Sequence, residues 1–429
     1  MGSMNLGAVL SSVAFVLSLN ECCVDCRVGR RDDKCRPTPS APSLPPPADA
    51  GFDGNVPPPT DAGPSDVPDE ACPITAPSKE WTYAAPSVVR SLLVEGSVYE
   101  VEDSGGATIP LRAFDVATGT AAGSTDIARP SSLSNTHFPR LQTARFDGTK
   151  QLFVSYLSRA QQEADGGIGA APGGLVRVGP VSSALPESAD LVAGVAASVD
   201  GVFDDGDAPR VLTWDSPTSP TGKYRRLMGT AGAETIDDGV TFPGPALVFE
   251  RARAAYAQGR IVGFIRTNDD GNLGAQGWTG WPVRDELPES AITMPGAVTT
   301  TANHDTLPIV YAVTATGIVT EYTVDAALQP VARVIAQLPA GYAAAGSSAK
   351  MAYTNGSVIF AAFKNGAPRL VRVRVQTGKI DEWPETTADT ANGAFGWSAL
   401  SAARGVACYA NQDNKLRCGC LDGSFRAVE

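Results

Sequence analysis

Histidine is almost missing: His137 and His304 are the only two in 429 residues. A Ser-His-Asp hydrolase takes its base from a histidine, and neither of these two stands beside a G-x-S-x-G nucleophile turn. No glycine loop that cradles phosphate opens a helix after a strand. Lysine and arginine form no run or stripe, and the net charge of −12 opposes nucleic acid, whose affinity comes from neutralising phosphates. No apolar run reaches the roughly 18–20 residues that span a bilayer. Aromatics make up only 7%, while 44 glycines and 33 prolines suit short strands joined by turns better than long helices. Hydrophobic content of 43% still suffices for a sizeable core.

One uncharged stretch stands out, LGAVLSSVAFVLSL from Leu6 to Leu19, with the length of a signal-peptide hydrophobic region. No positive residue precedes it. It sits just before Cys22 and Cys23 and so resembles a bacterial lipoprotein signal, with Cys22 as the lipidated residue. Glu21 holds the place where such signals carry a small residue. Residues 1–21 are read as an export segment, and membrane contact is expected only through an N-terminal lipid anchor. Residues 22–71 are read as a cysteine-containing, proline-rich linker. Within 36–70, eleven of the 35 residues are proline and Asp-Ala-Gly occurs twice, too little apolar area to offset ordering entropy. This composition is similar to linkers behind the signal peptides of surface proteins of high-GC bacteria, and it speaks to an exported location at the cell surface or in the periplasm.

From Cys72 onward a short apolar strand, a turn and a second apolar strand recur. LLVEGSVY (Leu92–Tyr99) and MAYTNGSVI (Met351–Ile359) are the clearest pair, and Gly96 and Gly356 lie 260 residues apart, five steps of 52. Turns at Gly96, Gly148, Gly206, Gly259, Asp305, Gly356 and Gly405 follow one another at gaps of 52, 58, 53, 46, 51 and 49. These lie close to propeller-blade periods of about 40–50 residues. Residues 72–429 are therefore expected to form an all-β domain, a β-propeller of seven blades with four antiparallel strands each. The run LVRVRV (Leu370–Val375) alternates strictly, which predicts one buried face and Arg372 and Arg374 on the solvent side.

Asp115-Val-Ala-Thr-Gly119 and Gln376-Thr-Gly-Lys-Ile-Asp-Glu-Trp383 resemble the D-x-x-T-G-K-x-x-W blade repeat of quinoprotein-like propellers. The resemblance implies that the tryptophan docks neighbouring blades; it does not extend to the quinone cofactor. Arg374 stands where the second copy would have its aspartate, and Trp383 falls one residue late. Thr267, Asp269 and Gly271 are similar to the Asp-box turn of sialidase-type propellers, which is itself structural. A calcium loop would draw its oxygens from Asn268, Asp270 and Asn272 or from Asp200, Asp204, Asp205 and Asp207, but turn-forming aspartates account for both loops, and no metal or cofactor is expected. Asp269 and Asp270 with Trp278 and Trp281 are the candidate ligand loop, an aromatic-plus-polar patch suited to carbohydrate.

Eight cysteines fall into two groups of four, and an even set in an exported chain favours disulfides. Cys408 and Cys418 lie symmetrically about Asp413 in a hairpin, placed to face each other across two strands. Cys420 then pairs with Cys72 and staples the start of the domain to its end; exchanging Cys418 and Cys420 is the nearest alternative. The functional expectation is a monomeric, non-enzymatic, exported propeller that binds an unidentified protein or glycan through loops on one face. The alternatives are a glycan-acting hydrolase or lyase with carboxylates at the central channel, and a passive envelope protein.

Overall fold

The computed structural model describes residues 68–428 except for connecting stretches, chiefly 130–137, 158–172, 215–220, 244–252, 269–275, 294–297, 325–329, 345–350 and 384–396; between Arg253 and Thr293 it describes backbone alone. The expected export segment, Cys22 and most of the expected linker lie outside these residues.

The described strands form seven antiparallel sheets, built mainly as meanders in which sequence neighbours pair. The first strands of the sheets are Val88–Val94, Phe138–Phe146, Ser198–Phe203, Arg253–Ala257, Val298–Asn303, Met351–Thr354 and Trp397–Ala403. Each of these packs beside a strand of the next sheet, and the seventh packs against the first. Seven sheets in cyclic order, held by their first strands, make a β-propeller. Four of the sheets have four strands. In the third and fourth, the outermost strand is broken into two short pieces, Ala233–Ile236 with Val240–Pro243 and Leu287–Pro288 with Ile292–Thr293.

Hairpin chemistry accounts for the tight turns within blades. In Asn355-Gly356 both residues have positive φ, 38° and 72°, the conformation that the right-handed strand twist demands of a two-residue turn and that Asn-Gly adopts at least cost. Innermost strands are also tied to one another by side chains. The amides of Val94, Leu141 and Val202 donate to Ser401 Oγ (3.0 Å), Ser91 Oγ (2.9 Å) and Gln142 Oε1 (2.9 Å), linking blades seven to one, one to two and two to three.

The ring closes through its N-terminus. The outermost strand of blade seven is Glu80–Ala84, paired with Lys415–Cys420 in the register Glu80–Gly419 to Ala84–Lys415. Ala85-Pro86-Ser87 then leads straight into the first strand of blade one. Trp81 on this closing strand donates through Nε1 to the Val116 carbonyl of blade one (3.0 Å). Its ring lies over Gly119, where a Cβ would come within 2.5 Å of it and where φ is +70°. The Asp115 carboxylate builds that turn by accepting from the amides of Ala117 (3.0 Å) and Thr118 (2.9 Å). At the other end of the chain, Arg426–Ala427 pair outside Ile380–Trp383 and add a further edge strand to blade six.

Trp383 is fully buried between blades six and seven, edge-on to Tyr409 with centroids 5.4 Å apart and 5.7 Å from Phe425. The backbone of Gly419 lies beneath it; a Cβ there would sit 2.6 Å from Trp383 and 2.4 Å from Ser424 Oγ. Gly419→Ala should therefore lower stability by ~1–3 kcal/mol, the usual range for overpacking. Urea unfolding of the variant beside the parent measures it, and an unchanged midpoint would contradict this packing.

One expectation is corrected. Arg372 does not face solvent: it is 3% exposed, because Asp381 and Asp69 both cover it. Residues 68–71, grouped with the linker on composition, are held against blades six and seven by the contacts described below.

Candidate functional site

Connections in a meander alternate between the two sides of the ring, so each side collects its own set. One side carries the first-to-second and third-to-fourth strand turns. These are mostly short, as at Glu95-Gly96, Asp147-Gly148, Asn355-Gly356 and Arg404-Gly405. The other side carries the second-to-third strand loops and the links between blades. By count of residues between described strands the longest of these are 158–173, 244–252 and 384–396, while Tyr342–Ala344 pairs with Ser357–Lys364 as part of blade six. The segregation follows from topology and sequence length alone.

The N-terminal segment crosses the tight-turn side over blades six, seven and one. The Pro68 carbonyl accepts from Asn355 Nδ2 (2.7 Å). The Asp69 carboxylate accepts from Arg372 Nη1 (2.8 Å) and Arg374 Nη2 (3.2 Å). The Glu70 carbonyl fills the space above Gly405, where a Cβ would lie 2.5 Å from it. Cys72 is bonded to Cys420 with Cα atoms 5.5 Å apart. Thr75 donates its amide to the Ala117 carbonyl (3.0 Å), and Cys420 donates its own to Lys79 (3.0 Å). Cys408 and Cys418 face each other in adjacent strands and are likewise bonded, Cα to Cα 4.1 Å.

Three polar clusters stand out among the described residues. In blade one, Glu100 and Glu102 are 0% and 1% exposed and share the strand face of Val98, which packs into the apolar cluster between blades seven and one. Arg112 Nη1 reaches Glu100 Oε1 (3.2 Å) and also Glu102, while Ser87 Oγ donates to Glu102 Oε2 (2.5 Å). Glu100 Oε2 is buried without a hydrogen bond. Burial raises the Glu100 carboxyl to about 7, with Arg112 opposing in part. This pair is sealed from solvent, so it offers no surface to a glycan substrate.

In blades five and six, His304 stacks on Tyr353 (4.5 Å) and Tyr353 on Tyr311 (5.1 Å). His304 Nδ1 accepts the Leu307 amide (3.1 Å), the turn role that its surroundings suggest. Burial lowers the His304 pKa, with Glu321 opposing. Burial likewise drives the Tyr311 hydroxyl upward, reinforced by Tyr353 and Glu321. Glu321 is gripped by Arg333 through Nε (3.1 Å) and Nη2 (3.0 Å).

The third cluster is Arg372, Arg374, Asp381 and Asp69. Asp381 Oδ2 accepts from Arg372 Nε (3.0 Å) and Nη2 (2.6 Å) and lies 3.5 Å from Arg374 Nε. Of this cluster only the arginines stand out in the sequence, which places them on one face of the strand without showing that the face is covered. The acids that cover them come from a short outer strand and from a segment some 300 residues away.

Of the residues singled out from sequence, Asp269 and Asp270 lie outside the described residues, as do His137, Asp205 and Asp207. Trp278 and Trp281 belong to the strand Gln276–Arg284, opposite Arg266 and Gly263. Asp204 is exposed in the turn after Phe203. The one described grouping within metal-ligand distance is Cys72, Cys420 and Asp422, and its two sulfurs are joined to each other.

No protein-family model matches this chain, and no curated protein matches it. Solved structures similar in fold include a chain of a mitotic checkpoint complex, at 11% identity and TM-score 0.49, covering 84% of this chain and 98% of that one. Another is the β-propeller domain of the Trilobed protease from Pyrococcus furiosus, described as having an open velcro topology, at 12% identity and TM-score 0.45, covering 81% of this chain and 98% of that one. The WD40 β-propeller domain of Doa1 matches at 12% identity and TM-score 0.45, over 81% and 95% of the two chains. The fold of this chain, on its own strand topology, is an all-β propeller.

Proposed function

We propose that this chain is an exported, monomeric propeller that binds a protein or glycan through the long connections on one side of the ring. The observation that carries this reading is the segregation of loops. The strand ends that the long connections join lie on the side opposite the one where the N-terminal segment enters at Pro68. A chain anchored or tethered through its N-terminus would present that loop-rich side outward. Two disulfides inside the domain fit an oxidising compartment, in keeping with export directed by Leu6–Leu19 and with Cys22 as a lipid anchor. Long loops on a rigid scaffold are where binding function is ordinarily built, and a fold such as this hosts function without dictating it.

The test is to shorten 158–173, which joins the adjacent strands Thr149–Leu157 and Gly174–Pro180, to a two-residue Asn-Gly turn and probe parent and variant against glycan arrays and cell-envelope extract. The melting temperature should hold while the parent's captured glycan or protein is lost. Equal capture by parent and variant would overturn the loop-side assignment. Recovery of full-length protein in the cytosol, its first 20 residues intact, would overturn export.

A further inference from the structure

We propose that Ser87, Glu100, Glu102 and Arg112 form a proton-dependent latch on the seam where the ring closes, so that loss of a proton from the acid pair loosens blade one from blade seven. Place makes the first argument. Glu100 and Glu102 share the strand face of Val98, and Val98 lies in one apolar cluster with Val406, Cys408, Leu416 and Cys418 of blade seven. Ser87 belongs to the three-residue connector that runs from the closing strand Glu80–Ala84 into the first strand of blade one. Its hydroxyl donates to Glu102 Oε2 (2.5 Å), so the acid pair holds the very segment through which the ring closes.

Hydrogen bonding makes the second argument. Both carboxylates are enclosed, and both lean on one nitrogen, Arg112 Nη1. Glu102 has Ser87 as a further donor. Glu100 has only the 3.2 Å reach of Arg112 on Oε1, and its Oε2 is buried with no hydrogen bond. A carboxylate left with a bare oxygen in an apolar seam is costly to ionise, and a second carboxylate on the same cation adds to that cost. Around the pair, Arg90 stands on the first strand of the blade, Arg112 on the third and the exposed Asp126 on the outermost. Blade seven meets this face, among the described residues, with apolar side chains, the Cys408–Cys418 disulfide and Tyr83 of the closing strand.

Burial lifts the Glu100 carboxyl to about 7, with Arg112 opposing. An opened seam hydrates the group and returns it towards its ordinary 4.5. Below 4.5 the proton is held whether the seam is open or closed. Between 4.5 and 7 the open seam gives it up and the closed seam keeps it, so closure weakens as pH rises and levels off above 7. The Cys72–Cys420 bond still anchors the segment before the closing strand, which confines the opening to residues 80–87.

The experiment is hydrogen–deuterium exchange on the full chain from pH 5 to 8, read as protection corrected for intrinsic rates. Residues 80–87 should lose protection by about tenfold or more from pH 5 to 7 and change little from 7 to 8. They should exchange by local opening, faster than Thr149–Leu157 of blade two and at a rate unmoved by about 1 M urea. Glu100→Gln should flatten the pH profile of 80–87. Ser87→Ala, which leaves both acids in place, should lower the protection of 80–87 at pH 5, where the latch is closed. A flat profile in the parent would overturn the proposal, as would a Ser87→Ala variant protected like the parent. Exchange of 80–87 at the rate and urea dependence of blade two would also overturn it, since the proton would then act on unfolding of the whole ring.

Discussion

Replacing Cys72 and Cys420 together by alanine will lower the stability of the domain by up to about 6 kcal/mol on chain-entropy grounds. The two residues are 348 apart in sequence, so the bond confines nearly the whole domain in its unfolded state. The paired replacement of Cys408 and Cys418, only 10 apart, closes a far smaller loop and should lose about 2–3 kcal/mol by the same argument. The order of the two losses is the test, because both bonds sit in the same apolar cluster between blades seven and one. Denaturant unfolding of the two double variants measures it. If the short-loop variant proved the weaker, confinement of the unfolded chain would not be the main contribution of the long bond. The ring topology gives this bond further weight: it fixes the segment that carries the outermost strand of blade seven. Without it, that strand is held by five register pairs and by the Trp81 contact on blade one.

Replacing Glu100 by glutamine will stabilise the protein above neutral pH and change little below pH 4. Burial raises the folded carboxyl from 4.5 to about 7. Below 4.5 the group is protonated in both folded and unfolded chains and adds no pH dependence. Between 4.5 and 7 the unfolded chain releases a proton that the folded chain keeps, so stability falls as pH rises. Above 7 both states are ionised and the penalty is constant, ~3 kcal/mol at about 1.4 kcal/mol for each tenfold. Glutamine carries no such charge and keeps an acceptor for Arg112. The difference between parent and variant unfolding free energies should therefore open between pH 4.5 and 7 and level off by pH 8. Parallel curves across that range would show that Glu100 is not the buried acid this geometry makes it.

Several features of the ring were legible in the residues. Asn355-Gly356 and Asp147-Gly148 mark hairpins because only a few residues accept positive φ at both central positions, and the structure turns at both. The resemblance to the quinoprotein-like blade repeat implies that Trp383 docks neighbouring blades, and it lies between two of them. Cys408 and Cys418 flank a turn symmetrically, which is a local property of one hairpin.

Alternation misled at charged positions. In Ala367–Arg374 the arginines at every second place read as a solvated face. That strand, like Ser97–Asp103, lies inside its sheet, however, with neighbours packed on each side. Glu100 meets Arg112 in the seam toward blade seven, and Arg372 meets Asp381 and Asp69. A two-residue period reports that a strand has two faces; it does not report whether both are covered. Asp69 itself sits in a proline-rich, acidic stretch whose composition reads as linker, and nothing local marks it as the residue that meets Arg372 and Arg374.

The sequence by itself determined the repeat of strand and turn, the hairpins that Asn-Gly and Asp-Gly impose, and the set of cysteines available to bond. These follow from backbone sterics and short-range geometry, which neighbours in the chain settle among themselves. Only the tertiary structure decided that Glu80–Ala84 completes blade seven, that Glu100 and Arg372 are enclosed, and that residues 68–71 lie on blades six and seven. Each of these depends on ring closure, which brings together residues up to 348 apart, and at that separation burial and charge pairing are set by which blades become neighbours.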